Sequence, residues 1–126
     1  LSALFWQGQA LLLSVNRQRV AIGDTGDFRL TGCEVGALQD NAGVYAALAQ
    51  AVAQAVPGLA GYAGIDFLDS AGGPRVLEIN PRLTSSYAGL RAALGVNPAD
   101  LVLALFDKHS LPRLPGVAGR PVLVEW

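Results

Sequence analysis

The chain has 126 residues, 52% hydrophobic and 15% charged, which is enough apolar material for one core in a unit of ordinary domain size. Nine basic residues stand against ten acidic ones, with a single histidine and no lysine- or arginine-rich run, and this balance argues against a nucleic-acid partner. No apolar run approaches the roughly 20 residues of a membrane helix, no signal-type stretch is present, and Cys33 has no second cysteine to pair with, so the expectation is a cytoplasmic protein with no membrane partner.

The chain contains no methionine and opens inside the apolar run Leu1-Ser-Ala-Leu-Phe-Trp6, which leads us to expect a fragment whose N-terminal portion lies upstream. Residues 2–7 and 9–15 have the composition of two strands around a turn at Gly8, and residues 18–22 extend the second. Residues 23–36, rich in Gly, Asp and Thr, read as a loop with strand character at 28–30. Val44, Leu48, Val52 and Val56 then recur every fourth residue, predicting a helix over 41–56 that Pro57-Gly58 ends. Residues 61–69 and 75–80 are apolar strands joined by a glycine-containing turn, the composition of a hairpin. A helix is predicted from Ser85 to Leu94, stopped at Gly95. Asn97-Pro98-Ala99-Asp100 supplies an N-cap, a first-turn proline and a first-turn acid for another helix ending near Lys108. The main unit is therefore expected over residues 1–108, with 109–126 as a tail or last strand. The fold class is α+β, an antiparallel sheet with flanking helices.

The hairpin carries the chemistry. A turn centred near Gly72 sets Asp66 directly opposite Glu78, and Asn80, two residues further, points to the same face. Ile65 and Phe67 alternate against Asp66, and Leu77 and Ile79 against Glu78, so the oxygens share one face and the apolar side chains the other. Opposed residues place their Cβ atoms about 4.5–5.5 Å apart, where two carboxylates repel each other unless a proton or cation lies between them. Magnesium is usually held by one or two carboxylates with nucleotide phosphates completing its shell, so the pattern points to a magnesium–phosphate site. Arg82 follows two residues after Asn80 and suits the negative charge of a phosphoryl group in transfer. A lone charged residue on a strand is ordinary surface, and two carboxylates also serve glycoside hydrolysis, but that chemistry leaves Asn80 and Arg82 without a task. No Gly-x-x-x-x-Gly-Lys or Gly-x-Gly-x-x-Gly sequence is present, and Cys33 and His109 are assigned no role.

Gly64-Ile-Asp-Phe-Leu68, a short turn, then Val76-Leu-Glu-Ile-Asn-Pro-Arg-Leu-Thr-Ser-Ser86 resembles the hallmark hairpin of the ATP-grasp superfamily. That resemblance implies the C-terminal lobe of an ATP-grasp fold, with ATP and Mg2+ as cofactors and Mn2+ as a substitute ion. It implies Asp66, Glu78 and Asn80 as metal ligands and Arg82 as the catalytic cation. Leu68 would floor the adenine pocket, with plain core packing as the alternative. Leu12-Leu-Ser-Val-Asn-Arg-Gln18 further resembles the branch that includes tyramine–glutamate ligase, where Asn16 and Arg17 would reach the phosphates; a strand-end arginine exposed to solvent is the alternative. Thr84, Ser85 and Ser86 open the following helix, where free N–H groups and hydroxyls suit a substrate carboxylate, while simple N-capping explains the same residues. The implied reaction joins a small-molecule carboxylate to an amine through an acyl phosphate. The implied partner is the missing N-terminal lobe, with self-association left open, and a non-catalytic binding module is the alternative function.

Overall fold

Trp6-Gln7-Gly8-Gln9 sets the first register: Gln7 and Gly8 both take positive φ (47° and 74°), and Trp6 pairs with Gln9 across a two-residue turn whose twist suits antiparallel neighbours. In the computed structural model, which describes residues 1–116 and 119–126, this turn joins β1 (Ser2–Trp6) to β2 (Gln9–Ile22). There follow β3 (Phe28–Leu38), α1 (Val44–Ala55), β4 (Gly61–Leu68), β5 (Arg75–Asn80), α2 (Tyr87–Leu94), α3 (Pro98–Lys108) and β6 (Val122–Glu125). All the strands join one six-stranded antiparallel sheet in the order β5-β4-β1-β2-β3-β6. The protein is therefore α+β, as its alternating composition predicts.

Both faces of the sheet centre are dry. Ala3, Phe5, Val15, Ala63 and Ile65 meet Ala49, Val52 and Ala53 of α1 on one face. On the other, Leu4, Leu13, Cys33, Val35 and Tyr62 meet Leu90 and Ala93 of α2 and Leu101 of α3. The period-2 alternation of the strands supplies both sets except on β2, where a register shift against β1 makes Leu13 an extra residue and turns Leu13 and Val15 to opposite faces. Asp40 ends the approach to α1, its carboxylate accepting from the backbone N–H of Tyr45 (3.1 Å) and Ala46 (2.7 Å). Asn97 caps α3 through Ala99 N–H at 3.2 Å, and Gly95 closes α2 at φ 72°. Among the described residues no single helix is long and apolar enough to cross a membrane.

Two elements differ from the sequence-based expectation. β2 runs unbroken for 14 residues, and the expected loop over 23–36 contains most of an 11-residue strand, β3. Its glycines misdirect the reading. Gly32 has no Cβ because one would lie 2.7 Å from the carbonyl oxygen of Val124 on β6, and Gly36 bends the strand at φ 71°. The tight turn is confined to residues 23–27, where Gly23 and Asp27 close it by a backbone bond of 2.8 Å. Leu77 is a second correction. Ile79 and Phe67 pack against the α1-side core, but the register of β4 and β5 shifts between Asp66 and Phe67, making Leu77 the extra residue of a bulge with 62% of its surface exposed.

This difference is measurable. Leu4→Ala, at a side chain with no exposed surface, should cost about 2–5 kcal/mol in urea unfolding, whereas Leu77→Ala should stay within about 0.5 kcal/mol of the parent.

Candidate functional site

The β4–β5 pairing places the predicted oxygens as their spacing requires: Asp66 lies opposite Glu78 and Gly64 opposite Asn80. Ser2 of β1 pairs with Gly64 from the other side, so Ser2, Gly64 and Asn80 form one row across three strands. Alternation puts Asp66, Glu78 and Asn80 on the Tyr62 face of the sheet, beyond the part that α2 and α3 cover. Among the described residues the ion pairs within 4.0 Å are those of Glu34, so neither Asp66 nor Glu78 has an arginine or lysine against it. Asp66 instead accepts one long hydrogen bond, from Gln18 Nε2 at 3.3 Å. Gln18 carries no distinctive sequence signal, although it lies two residues from Asn16 on the same strand face.

The chain turns back after β5. Asn80 is 7% exposed, and its Oδ1 accepts from Arg82 Nη2 at 3.2 Å, while Arg82 Nη1 donates to the carbonyl of Leu83 at 3.3 Å. Residues 81–86 thus fold over the sheet, and the methyl of Thr84 settles onto Gly64, where an added Cβ would stand 2.6 Å from it. Gly64 is required by this close approach. The helix entry is already satisfied by its own backbone: the N–H groups of Tyr87, Ala88 and Gly89 donate to the carbonyls of Thr84, Ser85 and Ser86. None of the three hydroxyls caps α2 in the usual way. Thr84 and Ser86 bond to each other at 2.9 Å, and Ser85 stands exposed.

These residues line a cleft of about 720 Å3, a size suited to a nucleotide-sized ligand. Its wall includes Asp66, Glu78, Asn80, Arg82 and the three hydroxyl residues, with Leu68, 59% exposed, on the same cleft. Asn16 also reaches it, but its side chain is largely committed: Oδ1 accepts from Ser14 Oγ (2.8 Å) and Gly36 N (3.2 Å), and Nδ2 donates to Ser2 Oγ (3.0 Å). Arg17 lines the cleft and lies 3.6 Å from Glu34, which Arg19 also grips at 2.6 Å. The hydrogen bond from Arg19 is the main cause that holds the Glu34 carboxyl below its ordinary range. Burial pushes the Cys33 thiol up, away from nucleophilic use at neutral pH. Among the described residues no three His, Cys, Asp or Glu side chains cluster, so the oxygen set is two carboxylates and an amide.

Comparison with known proteins gives two findings. The family profile of the ATP-grasp domain matches residues 1–86. A solved structure of a candidate ATP-grasp superfamily protein from Archaeoglobus fulgidus superposes with a TM-score of 0.69 at 30% identity. The match covers 98% of this chain and 37% of that one, so the present chain spans well under half of its structural relative. Among curated proteins, no sequence matches significantly.

Gly64→Ala tests the packing under the site. The new methyl should push Thr84 off β4 and cost about 1–3 kcal/mol in chemical unfolding, with the largest amide chemical-shift changes at residues 82–87.

Proposed function

The chain belongs to the ATP-grasp domain family, and from that premise we propose that it supplies the metal-binding half of an ATP-dependent carboxylate–amine ligase. Family membership carries ATP-dependent, ligase-type chemistry at the superfamily level. The observation that carries the finer reading is the face-to-face pairing of Asp66 and Glu78, with Asn80 one strand position further on the same face.

That donor set fits magnesium. Two carboxylates and an amide oxygen are hard donors on one side of a cleft, and no arginine or lysine neutralises the carboxylates among the described residues. Asp66, Glu78 and Asn80 would hold the ion, with manganese as a substitute. When bound, the ion neutralises phosphate charge and draws the nucleotide's phosphate oxygens into a fixed orientation.

The chain's own residues do the rest. Arg82 lines the cleft, held by two long bonds, to Asn80 Oδ1 at 3.2 Å and to the Leu83 carbonyl at 3.3 Å, so a phosphoryl group can recruit its guanidinium in a charged fork that neither neutral acceptor fills. In the proposed reaction a substrate carboxylate oxygen bonds to the γ-phosphorus as the bond to ADP breaks. The amine then attacks the acyl carbon, phosphate leaves, and the amine gives up a proton. Arg82 steadies the transferring phosphoryl oxygens. Ser85, with its neighbours Thr84 and Ser86, borders the substrate carboxylate; Leu68 offers an apolar surface to the adenine, and Asn16 and Arg17 border the phosphates.

The similarity of residues 12–18 to the tyramine–glutamate ligase branch favours an amino acid as the acid partner. A further lobe, outside the 37% of the structural relative that this chain spans, would close the cleft and complete the choice of amine. Cytoplasmic location follows the same reading, and self-association is a further expectation of an open lobe surface.

Glu78→Gln tests this directly, because the amide keeps shape and loses charge. In the full-length protein, magnesium-dependent conversion of ATP to ADP should fall about 100-fold or more, with the melting midpoint within about 2 °C of wild type. Turnover at the wild-type rate would remove the assignment.

A further inference from the structure

Beneath the 84–86 end of the cleft, four hydroxyls close a ring. Tyr62 donates to Ser2 at 3.0 Å, Ser2 bonds to Ser86 at 3.1 Å, Ser86 to Thr84 at 2.9 Å, and Thr84 to Tyr62 at 2.9 Å. A hydroxyl has one proton to give, and here each gives it to the next member. The Tyr62-to-Ser2 bond fixes the sense of the ring: Ser2 donates to Ser86, Ser86 to Thr84 and Thr84 to Tyr62, and every proton is committed inside it.

Asn16 anchors the ring from β2. The N–H of Gly36 can only donate, so Asn16 must turn its oxygen toward Gly36 and its amide nitrogen toward Ser2. Ser2 and Tyr62 are buried behind the cleft, while Thr84 and Ser86 line it. The Tyr62 ring also meets Tyr87 of α2 edge to face at 5.2 Å, and Gly64 leaves the space that the Thr84 methyl fills. Segment 81–86 is therefore held by β1 and β4 directly and by β2 through Asn16.

We propose that this hydroxyl ring is the device that positions segment 81–86, and with it Arg82 and Ser85, making Tyr62 and Ser2 positioning residues of the ligase site. The role rests on the function proposed above. It carries a consequence for the site: Thr84 and Ser86 have spent their protons inward, so of the three hydroxyls only Ser85, which makes no side-chain hydrogen bond among the described residues, has a proton to give a substrate carboxylate. A closed ring of mutually polarised bonds is stiff, and losing one member leaves a buried neighbour unpaired.

The test uses the full-length protein with Tyr62→Phe, Thr84→Val and Thr84→Ser. It reads the Mg·ATP dissociation constant by calorimetry, ADP formation from Mg·ATP, and amide hydrogen exchange over residues 82–89 by NMR. For Tyr62→Phe and Thr84→Val we expect Mg·ATP affinity within about twofold of wild type, ADP formation about tenfold slower, and exchange in 82–89 about tenfold faster. Thr84→Ser keeps the hydroxyl and should lose much less than the isosteric Thr84→Val. ADP formation at the wild-type rate in Tyr62→Phe and Thr84→Val overturns the proposal. So does an equal loss of affinity and turnover with exchange raised across the whole sheet, the pattern of general destabilisation. If wild type itself neither binds nor turns over Mg·ATP, the ligase reading falls, and exchange alone decides: unchanged protection of 82–89 overturns the ring, and faster exchange confined there upholds it.

Discussion

Two carboxylates held opposite one another on paired strands are a standing electrostatic cost, and the register of β4 against β5 leaves Asp66 and Glu78 no way to avoid it. A protein that needed only stability would place a lysine or arginine beside them; here, among the described residues, the basic side chains that form ion pairs are both spent on Glu34. Under the proposed function, a cation and the phosphates it carries would offset this cost. Arg82 then follows as the second positive charge, tethered close by but not committed to either carboxylate.

Everything around the pair serves to hold it still. Central strands β1 and β4 are packed on both faces, which fixes the row Ser2–Gly64–Asn80, while β5 at the sheet edge offers its oxygens to the open side. Downstream of β5 the chain doubles back over Gly64, a position where any side chain would collide with Thr84. A site built on paired strands and a folded-back segment would hold its donors as closely as the proposed phosphoryl transfer requires.

The hairpin was legible because strand alternation and a short turn fix facing residues from spacing alone, and the Asp66–Glu78 pairing is what that spacing predicts. Legibility failed where glycine served close approach instead of a turn. Gly32 makes room for the backbone of β6, far along the chain, and so concealed β3 as a loop. It failed again at Leu77, because a one-residue bulge leaves no mark in an apolar run. The three hydroxyl residues 84–86 were visible as site candidates, but not the inward commitment of Thr84 and Ser86, which depends on Tyr62 and Ser2, 22 and 84 residues distant in sequence. The Asn16 side chain shows the same limit: its neighbours Ser2 and Gly36 come from two other strands.

The most direct measurement is paramagnetic broadening of backbone amide signals by Mn2+ in the full-length protein, recorded with and without ATP. The account predicts that with ATP present the broadening centres on Asp66, Glu78 and Asn80, reaches Arg82, and is reversed by excess Mg2+. Broadening centred elsewhere, or unchanged by the nucleotide, would contradict a metal–nucleotide site on this hairpin.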